Sequence, residues 1–256
     1  MLLAPDEPAP VLQINRQGSS PFVIAVDHAS RLIPRRLGDL GLPEHELKRH
    51  VAWDIGSLQV ATKVAQDLDA PLVAQNYSRL VIDCNRAPAS PTSIPLVAEN
   101  CRVPGNEGLG EAEIDERRRE IFEPYHDHLR ALLDERERAG RRTILVALHS
   151  MTDMFLQRRR PMHAAVMYNR DPRFARVVME QLRRVPGLVV ADNEPYFMSD
   201  ETDYTVPTHG EKRGLHHVAI EIRQDLILGV AGQIEWGDRI ALALRQAEAV
   251  VAGAKA

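Results

Sequence analysis

The clearest strand signal of the chain is Thr143-Ile-Leu-Val-Ala-Leu148, which runs directly into His149-Ser150. A short apolar run with β-branched residues predicts a strand that is buried on both faces. Two further runs have the same character, Phe22-Val-Ile-Ala-Val-Asp27 and His217-Val-Ala-Ile-Glu-Ile222. Longer stretches with helical periodicity separate these runs. The sequence therefore predicts an α/β fold of three layers, α/β/α, with a largely parallel or mixed central sheet.

The remaining elements complete this pattern. Shorter strands are predicted at residues 71–74, 80–83, 164–168 and 188–191. Helices are predicted at residues 57–68, 111–140, 172–184 and 234–251, the second of them bent near Pro124 and ended by Gly140. Residues 85–110 carry many turn signals and are predicted as a loop. Since no repeat or linker divides the chain, residues 1–256 are expected to form a single domain, with residues 1–20 as a loosely ordered N-terminal extension.

Composition and charge exclude several classes of protein. The chain has 256 residues, of which 44% are hydrophobic and 27% charged, as in ordinary globular domains. A formal net charge of -4 provides no general basic field for nucleic acid, and no apolar stretch approaches the roughly 18 residues of a membrane helix. The two cysteines form no CxxC pair and the N-terminus has no secretory pattern, so a cytoplasmic protein is expected. The oligomeric state stays open, with a homo-oligomer as one option.

Two histidines follow predicted strands directly, His28 in Val-Asp-His-Ala-Ser and His149 in Ala-Leu-His-Ser-Met. Open α/β sheets bind ligands at the carboxyl ends of their strands, so both side chains are expected at one site. Neutral imidazole is a good zinc ligand, and the pair favours a shared divalent metal over two separate hydrogen-bonded histidines. Asp54 is the best candidate for a third ligand, the alternative being that it caps the helix after it. Asp27 is a weaker candidate for this ligand and is expected instead to hydrogen-bond to a metal-binding residue and orient it.

Three further polar residues surround the predicted strand at residues 80–83. Arg79 precedes its apolar run, and Asn85 and Arg86 follow it. Guanidinium groups bind carboxylates through paired hydrogen bonds, and the position of Arg86 beside a proline-rich loop favours substrate binding over a surface salt bridge. Asn85 would add another donor.

Glu221 lies inside an apolar strand, Val-Ala-Ile-Glu-Ile-Arg. A carboxylate is costly to bury unless it is paired or works in a cavity. We interpret Glu221 as a general base beside the predicted metal.

The other histidines carry weaker signals. His209 lies in Pro-Thr-His-Gly-Glu and is expected on a mobile loop from which it reaches the substrate. His126 and His128 are two residues apart on the long helix and are expected to be solvated. Cys84 is interpreted as a packed thiol, because no basic partner is assigned to it.

Taken together, these residues resemble the N-formylglutamate amidohydrolase family, within the wider zinc carboxypeptidase and aspartoacylase-like hydrolases. The resemblance covers about residues 22–228 and rests on short motifs in a shared order, Ser-Arg-Leu-Val-Ile-Asp-Cys-Asn-Arg-Ala-Pro, Leu-His-Ser and Ile-Glu-Ile-Arg. It implies a phosphorylase/hydrolase-like fold of the zinc carboxypeptidase type. Carboxypeptidases take two ligands from an HxxE motif, but Arg31 stands where its glutamate would be, so the resemblance does not supply the carboxylate ligand.

The resemblance also implies roles for individual residues. Asn85 and Arg86 would hold the substrate carboxylate, Arg79 would polarise the scissile carbonyl, and Glu221 would be the catalytic glutamate. His149 would be the last zinc ligand.

The expected activity is metal-dependent hydrolysis of an N-acyl, in particular N-formyl, acidic amino acid, with Zn²⁺ or another divalent ion as cofactor and a small molecule as the only partner. The alternatives are a carboxypeptidase-like or other N-acyl amino acid deacylase, and a non-catalytic protein that binds carboxylate ligands.

Overall fold

The structure is a computed structural model that describes residues 1–253. Eleven strands are present in this part of the chain: β1 (Val11–Ile14), β2 (Phe22–Val26), β3 (Leu72–Gln75), β4 (Val97–Ala98), β5 (Cys101–Arg102), β6 (Ile144–Met151), β7 (Met154–Phe155), β8 (Arg158–Arg159), β9 (Ala164–Met167), β10 (Val190–Asp192) and β11 (His216–Arg223). The α-helices over the same residues are α1 (Glu44–Leu47), α2 (Ser57–Leu68), α3 (Glu111–Arg117), α4 (Glu123–Arg138), α5 (Arg173–Arg183) and α6 (Val230–Gly253).

A mixed sheet forms the centre of the molecule, as the sequence predicted. Its seven strands have the order β1-β3-β2-β6-β11-β9-β10. The four middle strands, β3, β2, β6 and β11, are mutually parallel, whereas β1 pairs antiparallel with β3 and β9 pairs antiparallel with β11. The remaining strands form two short hairpins, β4-β5 and β7-β8.

Alternating side chains of each central strand enter two different cores, because successive residues of a strand point to opposite faces. In β2, Ile24 packs in the core shared with α2, α5 and α6, while Val23 and Ala25 pack in the core shared with α4. Helices therefore cover both faces of the sheet, which confirms the three-layer α/β/α prediction. Within residues 1–253, no helix has both the length and the apolar composition needed to cross a bilayer.

The predicted strand at residues 80–83 is wrong. Leu80, Val81 and Ile82 are buried in the α4 core, but their backbone forms a turn in which the Val81 N–H donates to the Ser78 carbonyl. Both sides of the preceding strand β3 are taken, by β1 and β2, and the segment after it folds as a turn against the α4 core instead of joining the sheet. Burial alone produces its strand-like apolar pattern.

The N-terminal residues are also more ordered than the sequence suggested. Residues 1–20 were expected to be a loosely ordered extension, but β1 forms an edge of the central sheet. Leu2 is buried, and its backbone N–H donates to the Glu120 carboxylate at 2.8 Å. Pairing with β3 and this contact fasten the segment to the domain.

The long helix predicted at residues 111–140 consists of three segments. A π-helical turn, Arg118–Phe122, separates α3 from α4. Pro124 lies in the first turn of α4, directly after the π-helical turn, so the change in helical geometry falls next to the proline, as the sequence predicted. The last helix begins at Val230, four residues earlier than predicted.

Gly56 sets the start of α2 and thereby the position of the segment before it. Its φ of 79° is left-handed, and a Cβ at this position would lie 2.4 Å from the Ile227 carbonyl oxygen. Gly214 has a similar φ of 64° but no atom within 4 Å of such a Cβ. A side chain at Gly214 would therefore introduce backbone strain alone, whereas one at Gly56 would introduce both backbone strain and steric overlap.

We expect Gly56→Ala to lower the free energy of unfolding by more than about 2 kcal/mol. The alanine would have to adopt a left-handed backbone conformation, and its Cβ would overlap with the Ile227 carbonyl oxygen. Gly214→Ala should lower the free energy of unfolding by about 1 kcal/mol, since only the cost of the left-handed backbone conformation applies there. Urea unfolding of both variants measures the difference. Equal costs would show that the approach to Ile227 does not constrain α2.

Candidate metal centre and catalytic cleft

The parallel pairing of β6 and β11 brings two predicted site residues side by side. His149 lies near the carboxyl end of β6, within the strand rather than after it, and is the register partner of Glu221 in β11. His28 follows β2, the neighbour of β6 on its other side, by two residues. The imidazoles of His28 and His149 and the carboxylate of Glu221 thus lie at the carboxyl ends of three adjacent parallel strands, β2, β6 and β11.

Asp54 reaches the same edge from the loop before α2. Its backbone N–H donates to the His28 carbonyl at 2.9 Å, which fixes the loop against the end of β2. Its carboxylate does not cap α2, because the N-cap residue is Gly56 and no side chain caps the helix. Instead, Oδ2 of Asp54 lies 2.9 Å from Nδ1 of His149 and 3.4 Å from Nδ1 of His28.

This geometry suits a divalent metal ion. One ligand atom from each of His28, Asp54 and His149 lies within 4.8 Å of the others, and all three side chains are buried. In a tetrahedral zinc site with bonds of about 2.0–2.1 Å, ligand atoms lie about 3.3 Å apart, close to the two distances from Asp54. Two imidazoles and one carboxylate also match the donor set of catalytic zinc sites. The three residues can therefore hold such an ion.

The other ring nitrogen of each histidine faces a second carboxylate. Nε2 of His28 lies 2.7 Å from Oδ1 of Asp83, and Nε2 of His149 lies 3.4 Å from Oδ2 of Asp27. Such carboxylates orient metal-binding histidines and direct the free lone pair of Nδ1 towards the metal. Asp27 was expected in this role, but Asp83 was not. The sequence does mark Asp83 in the same way as Asp27, because each of the two aspartates ends an apolar run.

The surroundings of Asp54 and Glu221 shift the pKa values of these two carboxylates in opposite directions. Burial acts to raise the pKa of Asp54, but the charges and hydrogen bonds of His28 and His149 outweigh it and lower this pKa well below its ordinary value. Burial raises the pKa of Glu221 above its ordinary value, and the charge of Asp54 adds to this effect. Oε2 of Glu221 is buried and has no hydrogen-bond partner among the described residues. The two buried carboxylates thus have pKa values shifted in opposite directions, and of the two only Glu221 has a fully buried oxygen without a hydrogen-bond partner in the described part of the chain.

Arg79 is held beside this centre by an ion pair. Its Nε and Nη2 donate to Oδ2 of Asp83 at 3.1 and 2.6 Å. Its Nη1 makes no hydrogen bond to the described residues and lies 3.7 Å from Oδ1 of Asp54. One nitrogen of the guanidinium group therefore stays free next to the metal ligands.

Asn85 and Arg86 connect the site to the loop around residues 202–205. The Asn85 side-chain oxygen accepts the backbone N–H groups of Tyr204 and Thr205 at 3.0 and 3.1 Å, and its amide nitrogen donates to Asp203 at 2.9 Å. Arg86 donates from Nη1 to the Thr202 carbonyl. Asn85 therefore positions the loop as well as lining the cleft.

One cleft of about 580 Å³ collects seven of the eight predicted site residues. They are His28, Asp54, Arg79, Asn85, Arg86, His149 and Glu221. A second part of the cleft wall is apolar and aromatic and was not predicted; it consists of Met151, Phe155, Met167, Tyr196 and Phe197. These residues lie in β6, the β7-β8 hairpin, β9 and the loop after β10, and nothing local in the sequence marks them as neighbours.

Buried histidine and aspartate ligands beside an unpartnered glutamate are typical of a metal-dependent hydrolase. Comparison with known proteins agrees with a hydrolase. The family model for N-formylglutamate amidohydrolase matches residues 20–228, and the chain belongs to this family of amidohydrolases. None of the curated proteins compared with the chain matches it.

Two solved structures are similar over nearly the whole chain. The gene product Atu2144 from Agrobacterium tumefaciens is 33% identical, with a TM-score of 0.95 over 98% of this chain and 99% of that chain. N-formylglutamate amidohydrolase from Ralstonia eutropha JMP134 is 22% identical, with a TM-score of 0.69 over 96% of this chain and 99% of that chain. The second likeness shows a shared fold.

The structure does not place His209 in the cleft, contrary to the prediction of a mobile substrate-binding residue. His209 lies in a buried π-helical turn, Val206–Gly210, and its Nε2 is 3.0 Å from Nδ1 of His126. His126, predicted to be solvated, is buried as well, and its Nε2 donates to the Cys84 carbonyl at 2.8 Å. The pair packs against Tyr204 and Phe122, so its role is to support the loop after β10.

The hydrogen bonds assign one tautomer to each ring. The Cys84 carbonyl can only accept, so His126 carries its proton on Nε2 and accepts at Nδ1 from Nε2–H of His209. A proton added at Nδ1 of His126 would set two N–H groups against each other. Burial acts in the same direction and lowers the pKa of His126 to about 4 and that of His209 to about 3.

We therefore expect both rings to stay neutral down to about pH 5, below the ordinary histidine pKa of about 6.5. Because the unfolded chain then binds more protons than the folded one, their contribution to stability is complete above pH 6.5 and is lost as the pH falls towards about 4 and 3. NMR titration of the histidine ring signals measures this. Titration of either ring near its ordinary pKa would contradict the assignment.

Proposed function

We propose that this protein hydrolyses the amide bond of an N-acyl, in particular N-formyl, acidic amino acid, and that it needs a divalent metal ion for this reaction. The observation that carries the proposal is the convergence of His28, Asp54 and His149 within 4.8 Å, next to Glu221, in a member of the N-formylglutamate amidohydrolase family. The structure of a family relative, the R. eutropha N-formylglutamate amidohydrolase, supports the substrate class.

The metal would be held by Nδ1 of His28, Nδ1 of His149 and Oδ2 of Asp54. Zn²⁺ suits this donor set best, and another divalent ion with borderline chemistry would also fit. When bound, the ion supplies Lewis-acid activation of water and of the amide carbonyl. Asp83 and Asp27 would keep both histidines in the tautomer that binds the ion, because Nε2–H of His28 donates to Asp83 and Nε2 of His149 faces Asp27 at 3.4 Å.

Glu221 would move the proton that the reaction requires. Its unpartnered Oε2 accepts a proton from the attacking water, whose oxygen forms a bond to the acyl carbon. Glu221 then returns this proton to the amide nitrogen as the carbon–nitrogen bond breaks. The products are the carboxylic acid, formate for a formyl group, and the free amino acid. The raised pKa of Glu221 suits both transfers, since the same group must accept and release a proton.

Arg79 would stabilise the negative charge that develops on the acyl oxygen during attack. Its bidentate bond to Asp83 holds the guanidinium plane in place and leaves Nη1 free beside the metal ligands. A donor that is oriented before the reaction needs no reorganisation when charge appears, which is why such groups accelerate catalysis strongly.

Arg86 and Asn85 would anchor the α-carboxylate of the amino acid. Arg86 lines the cleft and uses Nη1 for the Asn85 and Thr202 carbonyls, so the rest of its guanidinium remains available to an anion. Asn85 would contribute its remaining amide N–H. An anchored carboxylate holds the scissile amide at a fixed place over the metal site, which lowers the entropic cost of reaction.

The metal site is tested by His149→Ala, which removes one ligand. We expect the variant to lose stoichiometric zinc and to lose turnover of N-formylglutamate together, because two remaining ligands bind zinc weakly. Metal analysis after dialysis and an assay for released formate measure both. The matched control is His45→Ala, since His45 is exposed on α1 and does not line the cleft.

Retention of stoichiometric zinc by a protein that lacks both His28 and His149 would disprove the metal site. Zinc binding without hydrolysis of any N-acyl amino acid would instead favour a non-catalytic carboxylate-binding protein. Faster turnover of N-acetyl or longer acyl substrates than of N-formyl substrates would favour another N-acyl amino acid deacylase.

Glu221→Gln tests the base. The amide keeps the shape of the side chain but cannot accept the proton, so we expect turnover to fall by about 10²–10⁴-fold. Zinc content should remain at the wild-type level because Glu221 is not one of the three ligands. Steady-state kinetics and metal analysis of the same preparation separate these effects. Near-wild-type turnover would remove Glu221 from the mechanism, and loss of zinc would make it a ligand.

A further inference from the structure

Arg160 lies directly behind the aromatic part of the cleft wall. The residue is 5% exposed, and its guanidinium carbon lies 5.1 Å from the ring centre of Phe155 and 4.9 Å from that of Tyr196. Nη1 donates to the Thr152 carbonyl at 3.2 Å, and Nη2 donates to the Tyr196 hydroxyl oxygen. Thr152, Phe155 and Tyr196 all line the cleft. A buried cation is thus separated from the cleft by one layer of side chains.

The charge of Arg160 has no counter-ion in the part of the chain that the structure describes. Among residues 1–253, no carboxylate oxygen lies within 4 Å of its guanidinium nitrogens, and its two acceptors are neutral. Arg117 and Arg136 are also buried without a carboxylate, but each donates three hydrogen bonds to oxygen atoms inside the fold, and none of the residues that accept them lines the cleft. The Arg160 guanidinium donates only two among the described residues, and both acceptors belong to residues that line the cleft. An uncompensated buried charge is costly, which indicates that Arg160 meets an anion supplied from outside.

The Tyr196 hydroxyl connects this charge to the cleft. Because the hydroxyl oxygen accepts a hydrogen bond from Arg160, its own O–H is available to donate to another acceptor. Tyr196 is 42% exposed, and no other hydrogen bond of its hydroxyl group is present among the described residues. A carboxylate in the cleft would accept this O–H bond, and the cation behind it would strengthen the bond through charge and polarisation.

We propose that Arg160 and Tyr196 form a second anion subsite, which binds the side-chain carboxylate of a dicarboxylic N-acyl amino acid. This inference rests on the proposed function, in which Arg86 takes the α-carboxylate. Arg79 is paired with Asp83, and its one free nitrogen, Nη1, is assigned to the acyl oxygen in the proposed function. The rings of Phe155 and Tyr196 beside Arg160 limit the access of water to the ion, which increases its attraction for an anion.

The test compares kcat/KM for N-formylglutamate and for N-formylglutamine, which differ only in the side-chain carboxylate. We expect the wild-type protein to prefer the glutamate compound by about tenfold or more, since a hydrogen-bonded charge pair contributes that much. Arg160→Met and Tyr196→Phe should each reduce this preference by at least about threefold. Arg159→Met and Tyr168→Phe are the matched controls, because Arg159 is exposed on the same hairpin and Tyr168 lies outside the cleft.

Several results would overturn the inference. These are a wild-type preference for N-formylglutamine, faster turnover of N-formylphenylalanine than of N-formylglutamate, or an unchanged preference in folded Arg160→Met and Tyr196→Phe. If Arg160→Met does not fold, the more exposed Tyr196→Phe decides alone. A wild-type protein that hydrolyses N-acyl amino acids but prefers no acidic one overturns this subsite and the acidic substrate class, and leaves the proposed amide hydrolysis standing. An unchanged preference for the glutamate compound in both folded variants overturns the subsite only. Hydrolysis of no N-acyl amino acid overturns the proposed function itself.

Discussion

The site depends on one buried carboxylate, that of Asp54, which lies between the Nδ1 atoms of His28 and His149. An anion at this depth is stable only if positive charge faces it, whether from protonated histidines or from a metal ion. The same carboxylate belongs to a loop that is fixed to the His28 carbonyl and that continues into α2 through Gly56. The hydrogen bond between the Asp54 N–H and the His28 carbonyl therefore positions both the start of α2 and the Asp54 carboxylate.

A second hydrogen-bond network joins the candidate metal centre to the loop at residues 203–205. Asp83 faces His28 with one oxygen and Arg79 with the other, and the Asn85 N–H donates to the oxygen that faces His28. Asn85 in turn holds the loop at residues 203–205. Because these bonds share atoms, displacement of the loop would change the placement of Arg79 and His28. The histidine pair behind the loop, which does not reach the substrate, contributes by keeping the loop packed.

Particular residues show what could be predicted from the chain. His28, His149 and Glu221 were found because each lies at or near the end of a short apolar run, where local patterning predicts both the strand and its polar terminus. Asp54 could be a ligand or a helix cap by sequence, and the Gly56 N-cap excludes only the cap. The strand expected at residues 80–83 is absent because a buried turn packed against α4 has the same apolar pattern as a strand.

Local pattern thus determined the alternation of strands and helices, the three-layer fold and most polar residues of the site, because periodicity and strand ends are properties of neighbouring residues. Tertiary structure alone decided which distant groups meet. The pairing of β6 with β11 set His149 beside Glu221, and the folding of two separate loops around Arg160 built the aromatic wall. It also buried His209 against His126, since side chains that are 83 residues apart are brought together only by packing.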